Sequence, residues 1–196
     1  MAETVWKKAQ IQIRHYDMKK HELDVDIHQY PEAMQNTVCL FMDEDGLVRT
    51  EARKKMVAKG NKSLSILEKL LESEVIQVRW ESVKAMEEIA DRTSIDTFIR
   101  LMEHDPESDV REVATHGLAR FGKIGIVPLL EKLIQGRKHS FLYETAALTF
   151  RKLGDEYQKS HPAIHELVDA LLSSEVPDET VPNLAEKVLR QIDPYR

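Results

Sequence analysis

The stretch that decides the fold is Val110-Arg111-Glu112-Val113-Ala114, followed by Leu118 and Gly122. Its order is an apolar residue, Arg, two variable residues, Ala, three variable, a large apolar residue, three variable and Gly. The same order recurs at Val48-Arg49, Ala52, Met56 and Gly60, and at Val78-Arg79, Ser82, Met86 and Ala90. Leu142-Tyr143, Ala146, Phe150 and Gly154 repeat it with Tyr in the Arg slot. Val181-Pro182, Ala185, Leu189 and Asp193 form a fifth copy, and Val5-Trp6, Ala9, Ile13 and Asp17 a weaker opening one. The small residues at 9, 52, 82, 114, 146 and 185 are spaced by 43, 30, 32, 32 and 39 residues. A fixed period of this length is the mark of a repeat architecture, with insertions at the two ends.

Each copy has the spacing of a helix. Val110, Val113, Ala114, Gly117, Leu118 and Phe121 fall on one stripe, as do Leu142, Thr145, Ala146, Thr149, Phe150 and Leu153. The small residue in mid-stripe admits a close neighbour. Gly60, Gly122 and Gly154 stand where each helix should end, because glycine takes the left-handed cap without a Cβ clash. A second apolar-rich helix follows each cap, over Leu64–Leu71, Ile95–Met102, Ile126–Ile134 and Ile164–Leu172. Asp105-Pro106-Glu107-Ser108-Asp109 breaks one helix and caps the next.

The unit is thus a helical hairpin of roughly 32 residues that cannot bury both apolar faces alone, whereas stacked hairpins can. On these motifs the sequence resembles the short HEAT-like repeats also found in phycobilisome-lyase-type proteins. The resemblance implies an all-α fold: a right-handed α-solenoid of about five hairpins plus a terminal helix. It implies one domain over 1–196, with a degenerate capping unit and insertion at 1–44, regular repeats at 45–172 and a capping helix at 173–196. At the N-terminus, the alternation of Ala9, Ile11 and Ile13, and of Leu23, Val25 and Ile27, also fits two strands of a hairpin. The repeat register favours a helix over 3–18, an insertion over 19–30, and a partner helix from Pro31 to Met42. Pro31 and Pro182 both suit a first helical position.

Composition narrows the function. The 196 residues carry 28 Lys plus Arg against 34 Asp plus Glu, a net charge of −6, with 42% hydrophobic residues. One cysteine, Cys39, excludes an internal disulfide framework, and the apolar run around it reads as core. The opening Met1–Lys8 lacks the apolar segment of a signal peptide, and no run approaches a membrane span, so a cytoplasmic location is expected. There is no Gly-x-Gly-x-x-Gly loop, and no run of Lys or Arg exceeds two. DNA glycosylases with HEAT-like repeats use a basic face, which this acidic chain lacks, so neither nucleic acid nor membrane is expected as a partner.

Metal chemistry is also read as absent. Deoxyhypusine hydroxylase, which has similar repeats, carries iron-binding His-Glu pairs just after the Arg slot. Here those slots hold Thr50-Glu51, Trp80-Glu81, Glu112-Val113 and Glu144-Thr145, without histidine. His161 and His165 share a helical face near Glu166 and Asp169, and His15, His21 and His28 lie among Asp17, Asp24 and Asp26. Both groups read as polar surface; no metal, cofactor or catalytic residue is assigned. The alternative is an enzyme subunit or lyase-like helper, like the bilin lyase subunits the repeat also resembles, with a ligand or metal site near His161 and His165.

The expected function is a non-enzymatic scaffold. In this repeat family the second helices line the concave side. That places Leu64, Ser65 and Glu68, then Asp96, Thr97 and Arg100, then Val127, Pro128 and Glu131, and finally His165, Glu166 and Asp169 in a groove. Five acids against one Arg make it negative, which favours a protein partner with a basic helix or peptide. Arg49, Arg79 and Arg111 read as a structural ladder bonding turn carbonyls or acidic caps, interrupted at Tyr143. Trp80 is a second place for a contact, set beside the buried stripe toward the convex surface.

Overall fold

The computed structural model describes residues 23–136, 140–153, 159–173 and 179–193. The opening copy around Ala9, and His15, His21 and Gly154, lie outside them. Among the described residues there are helices and turns but no strand. The chain divides into two compact units, Met1–Ile89 and Ala90–Arg196.

The first unit contains α1 (Glu32–Cys39), α2 (Gly46–Val57), α3 (Leu64–Leu70) and α4 (Ile76–Ile89). Residues 23–30 are an irregular insertion in which Leu23, Val25 and Ile27 are buried and the residues between them exposed. That segment alternates without pairing as a strand. The second unit contains α5 (Ile95–His104), α6 (Ser108–Ala119), α7 (Lys123–Ile134), α8 (Ser140–Lys152), α9 (Ala163–Leu172) and α10 (Thr180–Ile192). This is the helical-hairpin repeat of an α-solenoid, as the periodicity requires.

The small-residue register explains the packing. Ala52, Ser82, Ala114, Ala146 and Ala185 are all fully buried, at the same place in five successive first helices. Met56, Met86, Leu118 and Phe150, one turn further on, are fully buried too. In the fifth copy Val188 takes that place and Leu189 is half-buried, so the stripe runs Val181, Ala185, Val188, Ile192. In the first unit α2 packs on α4, and in the second α6 packs on α8. A larger side chain at a buried alanine would overfill these seams, at a cost of about 1–3 kcal/mol.

The arginines hold the turns that enter the first helices. Arg49 Nη1 donates to the carbonyls of Asp43 (2.6 Å) and Glu44 (3.1 Å). Arg79 Nη1 does the same to Ser73 (2.9 Å) and Glu74 (3.2 Å), and Arg111 Nη1 to Asp105 (2.8 Å) and Pro106 (2.8 Å). In each turn the residue six before the Arg also takes a bond from the amide two residues on: Asp43 from Asp45, Ser73 from Val75, and Asp105 from Glu107. Each arginine thus satisfies carbonyls that the preceding helix end leaves without a partner.

Lateral contacts between first helices carry charge as well. Glu81, only 2% exposed, receives Arg49 Nε (3.2 Å), Gln77 Nε2 (3.1 Å) and Arg53 Nη1. Arg53 also reaches Glu88 (2.9 Å) and lies 5.6 Å from the centroid of the half-buried Trp80 ring. Burial lowers the Arg53 pKa, but the bonds and charges of Glu81 and Glu88 outweigh it and hold the guanidinium above its ordinary range. In the second unit Arg111 stacks 3.9 Å from the Phe141 ring centroid, joining α6 to α8.

Two boundaries differ from expectation. Helix α7 begins at Lys123, three residues before Ile126, because Gly122 turns the chain at φ +52 and the next helix starts at once. That leaves Pro128 inside the helix. Pro182 is the third residue of α10 rather than the first, still within the turn whose amides have no helical partner.

Helix α10 closes the second unit by packing against α7 and α9. It runs antiparallel to α7: Lys123, at the start of α7, bonds Asp193 (3.1 Å), and a Cβ on Gly136, past its end, would lie 3.5 Å from Pro182.

Candidate functional site

Helices α5 and α7 form the walls of a cleft of about 490 Å³ in the second unit. Helix α5 contributes Asp96, Ile99, Arg100, Glu103 and His104; α7 contributes Pro128, Glu131, Lys132 and Gln135. The spacings 96, 100, 103 and 128, 131, 135 are each one turn, so each helix gives the cleft a single face.

The walls are backed separately. Behind α5 lie α6 and α8, and Thr145 Oγ1 donates to the Met102 carbonyl (3.3 Å). Gly117 of α6 lets α5 come close, since a Cβ there would stand 2.7 Å from the end of the Phe98 ring. Behind α7 lies α10. Direct packing between α5 and α7 is sparse, and the ion pair from Lys132 Nζ to Glu103 Oε2 (2.8 Å) joins them.

Glu103 gives the cleft its chemistry. It is 3% exposed, although it lines the cavity. His104 Nε2 lies 3.2 Å from the same Oε2 that Lys132 holds. Both contacts fall on Glu103 Oε2. Asp96, Glu103 and Glu131 against Arg100 and Lys132 leave the cleft one formal negative charge, with His104 neutral. Ile99 and Pro128 supply apolar wall.

Of the expected groove residues, the structure brings Asp96, Arg100, Pro128 and Glu131 together here. Thr97 is buried, on the same side of α5 as the buried Leu101 one turn on, and so is removed from the exposed face. Val127 is half-buried and does not line the cleft. His165, Glu166 and Asp169 are exposed on α9, away from it, and Glu166 pairs with Lys187 (2.7 Å). Leu64, Ser65 and Glu68 belong to α3 of the first unit, where Leu64 is half-buried and the other two exposed. The charge estimate for the groove omitted Glu103 and Lys132, which the seven- and four-residue steps from Asp96 and Pro128 would have supplied.

The remaining candidates resolve as follows. His161 precedes α9 and His165 is exposed on it. Among the described residues, no three His, Cys, Asp or Glu side chains are placed to hold a metal ion. Glu81, in a slot where the hydroxylase carries a ligand, is engaged by two arginines. Cys39 is buried. No helix among the described residues is long and apolar enough to cross a membrane.

Comparison with known proteins agrees with this architecture. Residues 37–119 match the family model for HEAT repeats, so this part of the chain carries the repeat that its periodicity suggested. A chain from the complex of CpcE and CpcF of phycocyanin lyase from Nostoc sp. PCC7120 has the same fold. The TM-score is 0.51 at 20% identity, over 79% of this chain and 98% of that one. No curated protein matches the sequence.

Proposed function

We propose that this chain is a non-enzymatic interaction module that takes a basic segment of a partner protein into the cleft between α5 and α7. The observation that carries this reading is the cleft itself: side chains from two successive second helices converge on it with a net negative charge. Its volume lies within the range of about 300–1,000 Å³ usual for ligand sites. Cleft charges of one sign steer a partner of the other, and the apolar wall contributes area once the partner has docked.

The test is capture from native lysate, with cross-links read by mass spectrometry. Wild-type chain should cross-link its partner to α5 and α7. The D96K/E131K double variant should lose at least about tenfold of that capture, as opposing charges at an interface are worth roughly 1.4 kcal/mol or more. Unchanged capture by the double variant overturns the reading. The likeness to a chain from a two-protein lyase complex favours a second reading, a helper subunit of a lyase. Phycocyanin lyase activity that appears only when chain and captured partner are combined would select it.

A further inference from the structure

We infer that the cleft between α5 and α7 takes its partner as a non-helical segment with apolar residues at alternate positions, running antiparallel to α5. This rests on the reading of the cleft as a protein-binding site and adds the form of chain it accepts. The observation that carries it lies in the first unit, where the chain supplies such an occupant itself. Helix α1 precedes the first helix α2 as α3 precedes α4, so α1 and α3 are successive second helices, as α5 and α7 are. Direct packing between α1 and α3 is sparse, and residues 23–30 bridge them. On the α1 side, Gln35 Nε2 donates to the carbonyls of Tyr30 (2.6 Å) and His28 (3.3 Å). On the α3 side, Tyr30 Oη donates to the Ser65 carbonyl (3.0 Å), and Asp24 accepts from Ser73 Oγ (2.5 Å) and from the Glu74 amide. Between these anchors stands Lys69, whose pKa is raised first by its bond to Glu72, with Tyr30 and Asp26 adding to it. Leu23, Val25 and Ile27 are buried, while Asp24, Asp26 and His28 are exposed.

Ser65, Lys69 and Ser73 are spaced by about one turn, so the segment follows a single line along α3 and the turn beyond it. Tyr30 meets the start of that line and Asp24 its end, which makes the course antiparallel. Ile95 begins α5 as Leu64 begins α3, so the same line on α5 is Asp96, Arg100 and His104. All three line the cleft. The cleft therefore stands where residues 23–30 stand in the first unit, and among the described residues only α5 and α7 line it. A helix with its side chains is about 10 Å across, so along the roughly 12 Å from Asp96 to His104 it would take about 900 Å³. The cleft holds about 490 Å³. A non-helical segment is slimmer and turns every second side chain inward, toward Ile99 and Pro128.

The test titrates two peptides of equal composition and charge into the full-length chain, followed by amide NMR. Acetyl-Lys-Leu-Lys-Val-Lys-Ile-amide keeps the Leu, Val and Ile alternation of residues 23–27 with lysines between, and acetyl-Lys-Lys-Lys-Leu-Val-Ile-amide loses only the alternation. The alternating peptide should shift amides of Arg100, His104 and Glu131. It should bind at least about tenfold more tightly, because the block order turns Val away from Leu and Ile. A spin label on its N-terminus should broaden His104, and one on its C-terminus Asp96. Equal affinity of the two peptides, binding by neither, the opposite broadening or a helical bound peptide overturns the inference. So do shifts confined to α1 and α3, which mean that the peptide replaces residues 23–30 instead. None of these outcomes touches the D96K/E131K capture, so the protein-binding reading falls only if that variant still captures its partner.

Discussion

Ala90 occupies the slot that glycine fills in neighbouring repeats, and its backbone sits at φ +53, alongside +56 at Gly60 and +52 at Gly122. An L-residue in this region brings its Cβ against the following carbonyl, at a cost of about 1–2 kcal/mol. Ala90→Gly removes that clash, while glycine adds about 0.5–1 kcal/mol of chain entropy to be lost on folding. The net is a gain of about 0.5–1 kcal/mol, which for a chain of this length raises Tm by about 1–3 °C. The reverse changes are unusually clean controls. A Cβ built on Gly60 or Gly122 meets nothing within 4 Å, so Gly60→Ala and Gly122→Ala test the backbone conformation without any steric contribution. Both should lower stability by an amount similar to the gain at Ala90. Differential scanning calorimetry and urea titration of the three variants make the measurement. If Ala90→Gly lowers Tm while the two glycine variants also lower it, the residue is not in the left-handed region and the argument from repeat position is refuted.

Three further outcomes follow from the packing. Glu81→Gln should destabilise the first unit by about 3 kcal/mol in urea titration, since it leaves Arg49 and Arg53 partly buried without the carboxylate between them. Gly117→Ala should cost about 1–3 kcal/mol despite alanine's better helix propensity, because three atoms of the fully buried Phe98 ring lie within 3.0 Å of the new Cβ. Arg111→Lys should cost about 1–2 kcal/mol by thermal melt, because an ammonium cannot hold two turn carbonyls and stack flat on Phe141 together.

The repeat was legible because its physics is local. A helix cap, an apolar stripe and a small residue at a seam each leave a mark at fixed spacing, and Ala52, Ala114 and Ala146 are buried in equivalent places as that spacing demands. The start of α7 was not legible for a reason of the same kind. The apolar run marks the helix from Ile126, but the left-handed Gly122 restarts it at Lys123, three residues earlier, where the sequence is not apolar throughout. The partner of α10 was also hidden. Its stripe of Val181, Ala185, Val188 and Ile192 states that one face is covered, and an apolar face carries no label for the helix that covers it. The antiparallel seat against α7 depends on pairs such as Lys123 with Asp193, seventy residues apart, which no local pattern announces.

The cleft shows why charge is harder to read than burial. An aligned second helix predicts which positions face one way, and Asp96, Arg100, Pro128 and Glu131 do converge. It does not predict which charges are already neutralised. Lys132 follows Glu131 by one residue, and without the fold it reads as ordinary solvated charge; in the fold it crosses the cleft floor to Glu103. The cleft carries one formal negative charge because Glu68, Glu166 and Asp169 do not line it, and the Glu103–Lys132 pair adds none, so long-range attraction alone is too weak a basis for recognition there. Selectivity must come from the geometry of the acceptors that remain. A shallow acidic surface would bind any cation and weaken steeply with salt, whereas the carboxylate of a residue as buried as Glu103 is screened less. Capture of a basic partner through Glu103 should therefore fall only modestly between low and physiological ionic strength. A slope as steep as that of a peptide on an open acidic surface would place the contact on exposed Asp96 instead of on Glu103.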